Sequence, residues 1–84
     1  MTDFNTAITQ GVDALTISGD ITAGSTFDLK GKTITNLTID ITGMANGEDL
    51  TLTNGNVTNL TVIDKLGVSF TIENVLIQNA TNFN

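Results

Sequence analysis

Few side chains could do chemistry, and they lie far apart. Asp28, Asp40, Asp64 and Glu73 are carboxylates within or beside the apolar stretches, and Lys30, Lys32 and Lys65 are the cations. Glycosidic cleavage or proton abstraction needs two groups with matched pKa values within reach of one substrate atom. These four carboxylates are expected on different columns or loops, with no arginine or histidine to pair with them. Lys30 and Lys32 read as solvated strand and turn charges. Without cysteine there is no thiolate nucleophile, thiolate metal site or disulfide framework. Without histidine the commonest metal ligand and general base is missing. Glu48 and Asp49 adjoin Gly47 in an acidic loop, but calcium needs six or more oxygens from spaced ligands, and that spacing is not there. The chain is therefore expected not to be an enzyme and to need no metal or cofactor.

Charge and composition narrow the partners. The formal net charge is -6 over 84 residues, and a phosphate-binding surface needs clustered cations, so neither nucleic acid nor an anionic membrane is expected. The opening MTDFNTAITQ has neither the basic start nor the apolar run of a secretion signal, and no stretch is long enough to span a bilayer. Synthesis in the cytoplasm without secretion is expected. Sixteen threonines and ten asparagines bias the chain, but isoleucine, leucine and valine recur regularly and the mean hydropathy is positive, +0.17. Disordered chains lack that recurrence, and these residue types favour strands.

The elements that must position these groups come from a repeat. Three stretches share one pattern: apolar, four residues, Ile or Val, one polar residue, Asn, an apolar residue, Thr. They read Leu29, Ile34, Asn36, Leu37, Thr38; then Leu52, Val57, Asn59, Leu60, Thr61; then Ile72, Ile77, Asn79, Ala80, Thr81. Periods of this length suggest coils of a solenoid. Val57 and Leu60 are three apart and cannot share one face of a straight strand, so the chain must bend at Asn59. Asparagine tolerates the left-handed backbone of a one-residue bend. Its amide can also bond to the same amide one coil away at the strand spacing of about 4.8 Å. A further coil is expected in LTISGDITAG, with Leu15, Ile17 and Ile21 inward. The segments at Ser18 to Asp20 and Asn54 to Asn56 read as glycine-containing turns. Before the coils, Phe4, Ile8 and Val12 lie at helical spacing, with Thr2 as N-cap and Gly11 as stop.

Three short strands per coil, with asparagines at the turn between the second and third, resemble the right-handed parallel β-helix of pectate lyases and phage tailspikes. The resemblance rests on Asn36, Asn59 and Asn79 and covers roughly residues 15 to 83. It implies an all-β fold: a short right-handed single-stranded parallel β-helix of three to four coils, with a short N-terminal capping helix. Residues 1–84 would form one domain, 1–14 the cap and 15–83 the coils. Many β-helix proteins cleave acidic polysaccharides, but the carboxylate clusters and the arginine or histidine they use are missing here.

Outward positions carry the remaining candidates. Thr38, Thr61 and Thr81 make a regular column of the kind that binds ice in some β-solenoids. Its neighbour reads Asp40, Ile63, Phe83, and the first-strand pairs read Asp28 with Lys30, Thr51 with Thr53, and Thr71 with Glu73. Both arrays are broken. Sugar binding lacks a Trp or Tyr to stack on a ring. Four N-x-[ST] sequons, at Asn36, Asn56, Asn59 and Asn79, read as by-products of the repeat. Val75 is expected in the column of Lys32 and Gly55, and Leu76 in that of Thr33 and Asn56, outward where Ile77 is inward. With Ile63 and Leu66 these form a candidate interface. The alternative is that the 62–69 loop folds back over Leu76. The last coil is expected to run to Phe83 without a cap and to leave its strand edge open.

These features are similar to the small structural modules of phage particles. The expected role is a virion structural protein, foremost a small capsid decoration protein bound to the major capsid protein. It would be a homotrimer, because phage β-helix proteins usually associate about a threefold axis. A tail fibre or spike module is the first alternative. An autonomous ice- or sugar-binding solenoid is the alternative of another class.

Overall fold

The computed structural model describes residues 4–18 and 24–83, so Thr2, Ile21 and the turn residues Gly19 and Asp20 lie outside the described residues. Among the described residues one helix, α1 (Phe4–Gln10), precedes five strands: β1 (Ala14–Ile17), β2 (Ser25–Asp28), β3 (Thr33–Asp40), β4 (Asp49–Ile63) and β5 (Ser69–Phe83). Every strand pairing is parallel: β1 with β3, β2 and β3 with β4, and β4 with β5. The fold is all-β, a single curled parallel sheet with one short helix.

The curl follows from strand length. Fifteen residues of β4 would extend roughly 50 Å if straight, yet the longest dimension of the protein is 31 Å. β4 therefore bends, and its burial pattern places the bends. Leu50 and Leu52 are buried, then four less buried residues intervene before Val57, and two more, Thr58 and Asn59, before Leu60 and Val62. One edge of β4 is shared by β2, along Leu50–Thr53, and β3, along Asn56–Ile63; the other edge pairs with β5 along nearly its whole length.

Parallel register stacks like on like and builds the core in columns. Leu15, Leu37, Leu60 and Ala80 form one column and Ile17, Ile39, Val62 and Asn82 the next. Phe27, Leu52 and Ile72 form a third, and Ile34, Val57 and Ile77 a fourth. Among the described residues every buried side chain is apolar, so the hydrogen-bonding groups buried in the core are those of the backbone, which the strand ladders pair. The spacing of the repeats, 23 and then 20 residues, is seen directly in the pairing of Asn36 with Asn59 and of Asn59 with Asn79.

At one end of the columns Ala7 and Ile8 of α1 are buried and the helix packs against β2, and at that end Leu15, Ile17 and Phe27 are buried. The helix stops at Gly11, whose φ of +74° is left-handed and whose N–H donates to the carbonyls of Ala7 and Ile8. Val12 packs half-buried on the core.

Two details correct the sequence reading. Phe27, not Leu29, stands in the column of Leu52 and Ile72. The connection from Asp28 to Thr33 is two residues longer than its counterpart from Thr53 to Asn56, and Leu29 belongs to that insertion. Its side chain is fully buried over Gly55, where an added Cβ would lie 2.3 Å from Leu29 Cβ. The left-handed corner also lies elsewhere than expected. Lys30, Asn54 and Asn74 have φ of 53°, 62° and 58°, whereas Asn36, Asn59 and Asn79 are not among the residues of positive φ. The chain turns at the Asn59 column by placing Thr58 and Asn59 outward in succession within a continuous strand.

Candidate interaction surface

The three predicted asparagines are brought together. Asn59 Nδ2 donates to Asn36 Oδ1 at 3.1 Å and Asn79 Nδ2 donates to Asn59 Oδ1 at 3.2 Å. Each amide offers a donor on one side and an acceptor on the other, so identical residues in register link without a change of geometry. A second rung at the left-handed corner escaped the sequence reading: Asn74 Nδ2 donates to Asn54 Oδ1 at 2.9 Å. Its signal was the recurrence of asparagine 20 residues apart at that corner, hidden because the first repeat holds Lys30 there. All these amides are exposed, so each bond contributes modestly. Asn59→Ala removes two of them and is expected to cost about 1–2 kcal/mol. The exposed Gln78→Ala should stay within about 0.5 kcal/mol of wild type. Matched thermal melts compare the two; coincident midpoints would strip the column of any role in stability.

The carboxylates do not converge. Asp28 and Glu73 share a column with Thr53 between them, while Asp40 is in register with Ile63. Most serve their own turns: Asp28 accepts from the Lys30 N–H, Asp64 from the Lys65 N–H, and Glu48 from the Ala45 N–H. Asp40 accepts from both the hydroxyl and the N–H of Thr42, and those bonds hold its carboxyl below the ordinary aspartate range. Among the described residues no three metal-ligating side chains are grouped. Lys65 ties the two stacked loops together through its ammonium bond to the Met44 carbonyl, and Gly47 N–H donates to the Gly67 carbonyl alongside it.

The threonine columns are longer than the repeat suggested. Thr16 joins Thr38, Thr61 and Thr81 as a fourth rung, and Thr26, Thr51 and Thr71 form another column. The outward pair of β2 is thus Thr26 with Asp28, not Asp28 with Lys30, for the same reason that Phe27 displaced Leu29. The column beside Thr26 still reads Asp28, Thr53, Glu73, and that beside Thr38 reads Asp40, Ile63, Phe83.

The candidate interface residues separate. Leu76 is 68 % exposed and Leu66 85 %, so the 62–69 loop does not fold over Leu76. Ile63 is half-buried, and Val75 is half-buried against the core, beneath Gly55. Val75 therefore belongs with Phe70 and Ile77, which also pack partly buried on the core, and with Ile72, which is 40 % exposed although its column mates Phe27 and Leu52 are buried. The difference is position: β4 lies between β2 and β3 on one edge and β5 on the other, while among the described residues β5 pairs with β4 alone.

No protein-family model, curated protein or solved structure matches the chain.

Proposed function

We propose that this chain is a structural protein of a virus particle, a small capsid decoration protein bound to the major capsid protein as a homotrimer, made in the host cytoplasm without secretion. The finer fold assignment belongs to the same reading: a right-handed parallel β-helix of three to four coils, of the pectate lyase and phage tailspike type, in a non-catalytic miniature. The observation that carries it is the division of labour on the surface. Carboxylates close turns, asparagines bond to asparagines, and among the described residues the large apolar side chains most exposed are Leu66 and Leu76. Such a surface suits holding a partner more than transforming a substrate. A tail fibre or spike module fits the same features.

Mass spectrometry of purified virions that encode the chain should detect it at a copy number fitting capsid threefold sites. Recombinant protein should also bind capsids stripped of their accessory proteins, and Leu76→Asp should weaken that binding. Its absence from virions, together with no binding to stripped capsids, would overturn the reading. The four-rung threonine column would then favour the autonomous ice- or sugar-binding solenoid, which ice-affinity partition and glycan arrays address directly.

A further inference from the structure

The two ends of the core columns are unlike. At one, α1 and β1 cover the stack, and Leu15, Ile17 and Phe27 are buried. At the other, β5 pairs with β4 along one edge, and among the described residues no strand pairs with its second edge. Natural proteins blunt such edges with charges, proline, bulges or short length. β5 runs for fifteen residues, holds no proline, and from Ser69 to Ala80 has Glu73 as its single ionisable side chain. The inward residues Phe70, Ile72, Val75 and Ile77 continue the apolar columns up to that edge.

We propose that a second copy of this chain covers this end, β5 against β5 in antiparallel pairing about a twofold axis. A head-to-tail stack would have to displace α1, whose Ala7 and Ile8 are buried at the opposite end and which packs against β2. What can meet an open end is another open end, and a twofold axis relating two copies makes their strands antiparallel. The pairing closes after two copies and builds no filament. The paucity of charge on β5 lets like copies approach although each has net charge -6. This inference rests on the register of the strands and not on the virion reading. The virion reading is of a homotrimer, and the twofold contact would double it: two copies, or two trimers end to end.

Light scattering and native mass spectrometry on the 84-residue chain should therefore give two or six copies, and Ile72→Glu should halve that number with the circular dichroism unchanged. The chain has no cysteine, so single substitutions from Thr71→Cys through Ile77→Cys supply a second test that does not need a disrupted interface. An antiparallel twofold pair sets one position opposite its own copy, and at least one of these variants should oxidise to a covalent dimer. Gln10→Cys on α1 should not. One or three copies at high concentration, or an even number that survives Ile72→Glu together with no crosslink between 71 and 77, overturns the end-to-end contact. A solution trimer that binds capsids would do so while leaving the virion reading intact.

Discussion

Gly55→Ala is expected to be among the most damaging single substitutions in this chain, costing about 3 kcal/mol or more and lowering the melting temperature by roughly 12–24 °C for a domain of this size. An alanine Cβ there would lie 2.3 Å from Leu29 Cβ, 2.8 Å from Leu29 Cδ1 and 2.9 Å from the Lys32 carbonyl oxygen. Two of those atoms are backbone or fixed to it, so a rotamer change cannot relieve the crowding. Leu29→Ala keeps its own Cβ, and the double variant should be no more stable than Gly55→Ala alone. Gly47→Ala provides the comparison. At φ of +88° with nothing within 4 Å of the added carbon, it pays left-handed strain only, about 1–2 kcal/mol. Should Gly55→Ala melt with wild type, or be rescued by Leu29→Ala, the insertion does not press on β4 as described.

Leu52→Ala should cost about 2–5 kcal/mol, a large share of the stability of any small domain. Ile72→Ala, in the same column one tier away, should cost about 1 kcal/mol or less when measured at dilution. Leu52 is fully buried between Phe27 and Ile72, so its truncation leaves a cavity with fixed walls on both sides. Ile72 has a wall on one side and is 40 % exposed, so little apolar surface is newly hydrated. Urea midpoints for the two variants measure the difference. Equal losses at the lowest protein concentration would mean that β5 is not an end of the core. A gap that narrows as concentration rises is the result expected where a second copy covers Ile72.

Much of this was legible from residue order because the fold repeats. A recurring Asn-apolar-Thr triplet at Asn36, Asn59 and Asn79 placed like residues in register, as the pairing shows, and its apolar members Leu37 and Leu60 are buried. The first repeat misled because its connection between β2 and β3 carries two extra residues. Counting back from Asn36 along an even period lands on Leu29, whereas the pairing partner of Leu52 is Phe27. An apolar residue two positions off in a strand keeps the same face, so alternation had no means of detecting the slip.

The order of residue types was enough to determine that the chain forms parallel strands stacked by a repeat and bonded through asparagine amides, because side-chain periodicity and identical recurrence are local properties. Only the tertiary structure decided where the chain turns left-handed, at Lys30, Asn54 and Asn74. Asparagine serves equally as a corner of positive φ or as an outward rung of negative φ, and the choice depends on what the neighbouring tier places against it. It decided also that Val75 faces the core and Leu76 the solvent, and that one end of the columns is covered by α1 while the other presents β5. Burial belongs to pairs of elements: Leu52 and Ile72 occupy equivalent places in the repeat, and the packing of a further tier on one of them separates their exposures.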